Sequence, residues 1–138
     1  MPQYIMPINT RTARVRFQAL DAFTQAYIEA ALWVGLAEDE EIERFGGTHR
    51  AAFNDLAPRA VTVLAADCAD FQQCNAALLA AWGDDTGAGH DFWLTRNRHG
   101  AGFWDRGRGK LGDQLTTAAH AYGEVYLYVG NDGRIYAN

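Results

Sequence analysis

Apolar residues recur along this chain at two spacings, and the change from one to the other lays out the elements. Phe23, Tyr27, Ala30, Ala31 and Val34 return every three or four positions. That spacing gathers them on one face of a helix running from Asp21 to Val34, with Asp21 as its cap and Gly35 as its stop. Pro58 opens a longer periodic stretch in which Val61, Leu64, Ala65, Cys68, Phe71, Asn75, Leu78, Leu79 and Trp82 form one seam. It predicts a single helix from Pro58 to Trp82, with proline in its first turn and Gly83 ending it. Leu111, Leu115, Ala118, Ala119 and Tyr122 predict a third helix over Gly109–Tyr122, ended by Gly123.

Elsewhere the period shortens to two. Glu124–Val129 alternates cleanly, and Asn131-Asp132-Gly133 is a strong turn signal before Arg134–Ala137, so these residues predict a β-hairpin. Val125, Leu127, Val129 and Ile135 should face the helices, with Tyr126, Tyr128 and Tyr136 on the other side, joined there by a tryptophan. Arg11–Gln18 also alternates, which fits a half-buried strand or the lead-in to a helix. His90–Thr95 is aromatic and β-branched, Gly100 and Gly102 offer turn chemistry, and Phe103-Trp104 can start a return strand. Residues 89–110 therefore read as a second hairpin, reached through a flexible connection at 84–89. The predicted fold is α+β: a single domain whose helices pack on a small antiparallel sheet made of two hairpins. Residues 1–10 read as an extended arm, and 36–54 as an acidic and polar loop.

At 138 residues the chain is long enough for one hydrophobic core. It has no apolar run of bilayer length and no basic segment before an apolar one at its start, so neither a membrane span nor a signal peptide is expected. Cys68 and Cys74 lie six positions apart on a predicted helix, which suits neither a disulfide nor a shared metal and reads as two buried free thiols. The net charge of −5 is unevenly spread. Residues 1–88 hold twelve acids against six basic residues, and 89–138 five against six. The acidic extreme is Glu38–Glu43, with Glu40, Glu41 and Glu43; the basic extreme is Arg96, Arg98, Arg106, Arg108 and Lys110.

These patterns narrow the chemistry. No serine is present, so serine nucleophiles are excluded. Asp67 and Asp70 beside Cys68 would raise its thiol pKa and disfavour a cysteine nucleophile. His90, His99, Asp91 and Asp105 could form an acid–base or metal constellation across the hairpin, but no established metal-ligand spacing accompanies them. No catalytic residue, metal or cofactor is therefore assigned. The basic hairpin fits phosphate or carboxylate binding through arginine forks, or a solvated turn paired with Asp91 and Asp105. The tyrosine face fits base stacking, or plain strand formation beneath a loop. The acidic run fits a partner's basic surface, or a solvated face. The candidate binding residues are Arg96, Arg98, His99, Arg106, Arg108, Lys110, Glu40, Glu41 and Glu43. Trp93, Phe103 and Trp104 read as the hairpin's packed framework, and the residues flanking its turn as exposed.

The segment from His90-Asp91-Phe92-Trp93-Leu94-Thr95-Arg96-Asn97 through His99-Gly100-Ala101-Gly102-Phe103-Trp104-Asp105-Arg106-Gly107 resembles a family of small uncharacterised proteins encoded by bacteriophages, prophages and plasmids. Similar stretches are Ala26–Trp33, Asp67–Phe71, Ala121–Gly123 and Leu127–Gly133. Arg98 departs from the pattern, since similar sequences carry glycine there. The resemblance implies a mobile-element origin and brings no catalytic residues. Small proteins of such elements commonly bind host or phage proteins, including defence nucleases. The expected function is thus a non-enzymatic accessory protein in the cytoplasm of a bacterial host. It would bind a macromolecular partner, for example as an anti-CRISPR or anti-restriction inhibitor. The alternative is a DNA- or RNA-binding accessory protein using the basic hairpin and the tyrosines.

Overall fold

A computed structural model describes residues 11–35 and 53–138. The expected arm at 1–10, nearly all of the expected loop at 36–54, and Glu40, Glu41 and Glu43 lie outside the described residues. Among the described residues, six helices and one two-stranded antiparallel sheet make an α+β fold.

Helix α1 spans Arg11–Gln18. The alternation there misleads: Ala13 and Phe17 are buried while Val15 between them is 56% exposed. Burial four positions apart, and not two, is the helical period. Helix α2, Ala22–Val34, begins where the Asp21 carboxylate accepts the Thr24 amide at 2.9 Å. At its end the Gly35 amide donates to the Ala31 carbonyl at 2.7 Å. Phe23, Ala26, Tyr27, Ile28, Ala31 and Leu32 are all buried. So many apolar directions on one helix make it the centre of the core.

The predicted helix from Pro58 to Trp82 is two helices, α3 (Pro58–Cys74) and α4 (Ala76–Trp82). Asn75 breaks it. Its amide side chain donates to the Phe71 carbonyl at 2.9 Å, alongside its own backbone N–H at 3.0 Å. Asparagine competes in this way with the helical ladder. Leu64, Cys68, Phe71, Leu79 and Trp82 form the buried seam, with Val61 and Leu78 at its margin. Cys68 is buried as expected, whereas Cys74 is exposed; both are free thiols. Gly83 ends α4 in the left-handed conformation.

The largest correction concerns residues 84–110. They form no hairpin. Helix α5 occupies Asp85–Arg96, capped by Asp84, whose carboxylate accepts the Gly87 amide at 3.0 Å. A short apolar run does not distinguish a buried strand from a buried helical segment. Gly87 and Gly89 further mask the helical pattern. Gly89 is there because α5 lies against α2: a Cβ on it would come within 2.1 Å of the Phe23 carbonyl oxygen. A 3-10 turn, Phe103–Asp105, follows, then helix α6, Gly109–His120. Phe71 stacks on Phe92 at 4.0 Å between centroids, and Phe103 lies edge-on to Trp82 at 5.3 Å, so Phe92, Trp93 and Phe103 of the expected hairpin fill the core instead.

Strands β1 (Leu127–Val129) and β2 (Ile135–Ala137) pair as expected, with Tyr128 opposite Tyr136 and Gly133 in the left-handed region of the turn. Val125, Leu127 and Ile135 are buried, and the tyrosines point outward. The ribbon joins the helices through the Ala57 amide, which donates to the Ile135 carbonyl at 2.8 Å. Among the described residues, no helix is long and apolar enough to cross a membrane.

The α2–α5 contact yields a direct test. On a free helix Gly89→Ala would gain about 0.5–1 kcal/mol. Here the added methyl must push two backbones apart, so urea denaturation should show a loss of about 1–3 kcal/mol. A gain in stability would mean that the two helices do not approach as closely as described.

Candidate functional site

Helix α5, the loop at 97–102, the 3-10 turn and the start of α6 carry most of the candidate residues. The local chemistry explains their path. Asn97 stops α5 by donating its side-chain amide to the Trp93 carbonyl at 3.0 Å, and its Oδ1 accepts the Val125 amide at 2.9 Å. The Arg98 amide then donates to the Thr95 carbonyl and the His99 amide to the Leu94 carbonyl. Arg98 sits at φ 58°, the left-handed position that usually holds glycine after a helix. A glycine at this position would adopt that backbone without strain. Thr95 Oγ1 accepts the Phe103 amide at 3.1 Å and anchors the 3-10 turn. A Cβ on Gly112 would meet the Phe103 carbonyl at 2.7 Å, so α6 also lies close against this turn.

Arg96 was expected as an exposed binding group. It is 4% exposed and sits among four partners. Its Nε donates to the Gly123 carbonyl at 2.8 Å, Nη1 to Tyr27 Oη at 2.9 Å and Asp67 Oδ2 at 2.7 Å, and Nη2 to the Tyr122 carbonyl at 3.1 Å. Its guanidinium lies over the Phe92 and Tyr122 rings. Burial opposes its charge, but Tyr27 and Asp67 more than offset this and raise its pKa. Burial also pushes the Tyr27 phenol up. Arg96 is a strut, and its carboxylate partner is Asp67, not Asp91 or Asp105.

The other basic residues divide. Arg106 holds the buried Asp91 carboxylate in a fork, at 2.6 and 3.1 Å. That hydrogen bond raises the arginine's pKa. Arg108 lies over the Trp82 ring at 4.5 Å and donates to the Trp82 and Ala81 carbonyls at the end of α4. Both are anchored to the scaffold. Arg98 and Lys110 are exposed and His99 half-buried, with no ion pair among the described residues. The structure therefore does not join the basic residues into one patch.

The catalytic and metal constellation is not assembled as a hairpin would assemble it. His90 lies on α5 with Nε2 3.4 Å from Glu29 Oε1, while Asp91 is taken by Arg106. Among the described residues no group of three metal-ligating side chains converges. Burial pushes the Cys68 thiol up, with Asp21 and Asp67 adding to it, so it carries no thiolate at neutral pH.

Two aromatic surfaces remain. Trp104 was expected in the framework beside Trp93. Trp93 is buried, but Trp104 is 48% exposed on the 3-10 turn. On the ribbon, Tyr126 and Tyr128 are exposed, and Tyr128 stacks on Tyr136 at 5.8 Å between centroids. No tryptophan joins them there: Trp104 packs by Gly102. The outward tyrosines were legible from the alternation; the outward Trp104 was not, because a 3-10 turn has no two-residue period.

Two substitutions separate scaffold from surface. Arg96→Ala leaves the Tyr27 hydroxyl and two carbonyls without their donor and should cost about 3 kcal/mol, the low end for a broken buried pair because Asp67 is partly solvated. A thermal midpoint within a degree or two of wild type would remove the strut assignment. Arg98→Gly relieves a left-handed conformation worth about 1–2 kcal/mol and returns part of it as unfolded-state entropy. Chemical denaturation should show a net gain of about 0.5–1 kcal/mol; a loss would mean that the Arg98 side chain is bound to the scaffold.

Compared with known proteins, the chain matches no family model, no curated protein and no solved structure.

Proposed function

We propose that this chain is a non-enzymatic accessory protein of a phage or other mobile element that acts by binding a macromolecular partner. The observation that carries the reading is Trp104. A half-exposed tryptophan is held out on a turn whose backbone is pinned by Thr95 and lies close against Gly112. Arg106, two residues on, is immobilised by Asp91. Rigid tryptophan and arginine side chains lose little entropy on docking and supply most of the free energy in many protein interfaces.

The polar groups that would otherwise invite catalysis are committed to the scaffold: Asp91 to Arg106, Asp67 to Arg96. The net charge of −5 favours a partner with a basic surface, as nucleic-acid-binding proteins have. Together with the resemblance to mobile-element proteins, this favours an inhibitor of a host-defence complex, of the anti-CRISPR or anti-restriction kind.

The test is a pull-down from bacterial lysate with immobilised wild-type protein and the Trp104→Ala variant, followed by affinity measurement on the retained partner. Trp104→Ala should melt within a few degrees of wild type and lose roughly thirtyfold or more in affinity, the size of a hot-spot truncation. A partner bound equally by both proteins would move the interface away from this turn.

A further inference from the structure

Away from Trp104, residues of the β-ribbon line two depressions. The first is a cleft of about 400 Å³ lined by Thr12, Ala13 and Arg16 of α1, by Asn54 and Leu56, and by Arg134. Two guanidiniums from distant parts of the chain meet there. Arg16 lies 5.7 Å from the centroid of the Phe53 ring, and the Arg134 backbone N–H donates a hydrogen bond to Asp132 Oδ1 at 2.9 Å. Neither is within ion-pair distance of a carboxylate among the described residues. Asn54 Oδ1 in the same cleft is buried with no hydrogen-bond partner; as an acceptor it suits a ligand N–H or O–H and not the oxyanion itself. Two guanidiniums lining one cleft offer an oxyanion the donors it requires, in competition with the Asp132 carboxylate, whose charge Arg134 favours.

The second depression, about 350 Å³, is lined by Arg59, Tyr128, Gly130, Asn131, Asp132 and Tyr136. Tyr128 and Tyr136 stack, and the Arg59 guanidinium lies 5.4 Å from the Tyr136 centroid. This is an aromatic surface edged by a cation. Asp132 is the one carboxylate in it, and it accepts the Tyr136 hydroxyl at 2.7 Å as well as the Arg134 amide. These donors lower its pKa, so it stays charged and repels a phosphate from this depression.

Ile135 is buried, so Arg134 and Tyr136 flank it on the opposite face of the ribbon. Two residues of strand advance about 6.6 Å. That is a reach one nucleotide covers between its phosphate and its base. We infer that the ribbon and α1 together form a nucleotide-binding site, with the phosphate between Arg16 and Arg134 and the base on the Tyr128–Tyr136 stack. The unit bound is a free nucleotide or one nucleotide of a single strand. A base in a duplex is already stacked and paired and offers no face to the tyrosines. The site is independent of the Trp104 surface and uses none of the basic residues from 96 to 110.

Fluorescence anisotropy with a labelled ten-residue oligothymidylate, and calorimetry with thymidine monophosphate, test this at low salt. Wild type should bind at least one of the two. Tighter binding of the oligomer identifies a strand, and equal binding a free nucleotide; either supports the site. Combining Arg16→Gln with Arg134→Gln should weaken binding at least tenfold. For the oligomer, the slope of log affinity against log salt should flatten by about 0.7, one phosphate neutralised on a single strand. Tyr128→Ala should weaken binding roughly five- to a hundredfold through lost stacking. Arg14→Gln removes the same charge from α1 outside the cleft and should change affinity less than about twofold. Thermal melting of each variant confirms that it is folded. Absence of binding by wild type at about 100 µM protein overturns the inference, as does a double arginine variant that binds as wild type does.

Discussion

The guanidinium of Arg96 holds four elements to one another. It leaves the end of α5, reaches Tyr27 on α2 and Asp67 on α3, and takes the Tyr122 and Gly123 carbonyls just beyond α6. A fork of planar donors can satisfy this many acceptors at once, while an ammonium cannot match their directions. Burying a charge is costly, and the cost is tolerable only when partners surround it. The helices must therefore meet at this point in one relative arrangement, or the charge is stranded. An all-apolar junction could tolerate sliding. This one does not.

The apolar packing is arranged around the same point. Phe92 lies beneath the Arg96 guanidinium and stacks on Phe71, which in turn neighbours Phe23 and Phe103. Gly89 lets α5 approach α2, and Gly112 lets α6 approach the 3-10 turn. The segment from His90 to Gly107 is consequently mostly scaffold. His90–Arg96 supplies the second central helix, Thr95 and Asn97 tie down the chain that leaves it, and Arg106 and Arg108 lock that chain to α5 and α4. What such a scaffold presents outward is a small set of side chains on rigid backbone. Trp104 stands on one surface. On another, the ribbon carries its tyrosines beside the paired arginines of the cleft.

Much was legible in the sequence where the signal is local. Asp21 as a cap, Gly35 and Gly83 as stops, Pro58 in a first turn, the 131–133 turn and the exposed Tyr126 and Tyr128 all follow from the chemistry of one residue or from its immediate spacing, and all are found; α6 ends earlier than expected, at His120 with Ala121 as its cap. The α+β class followed from those elements, and so did the buried, unreactive Cys68.

What tertiary structure alone decided is the state of 84–110 and the fate of its charges. An aromatic, glycine-interrupted run satisfies strand and buried-helix patterns equally, and the choice depends on whether α2 and α3 offer a surface that Phe92 and Trp93 can fill. Asn75 breaks its helix through a bond that competes with the ladder, an outcome the seam of apolar positions does not register. Arg96 and Arg98 are the same residue two positions apart. One is buried and the other exposed because Tyr27 and Asp67, 69 and 29 residues away in sequence, converge on the first and not on the second. The arginine pair of the cleft belongs to the same class: Arg16 and Arg134 come from near opposite ends of the chain, and no spacing in the sequence relates them. Composition and periodicity report which residues must be buried or capped; only the folded chain decides which charges meet.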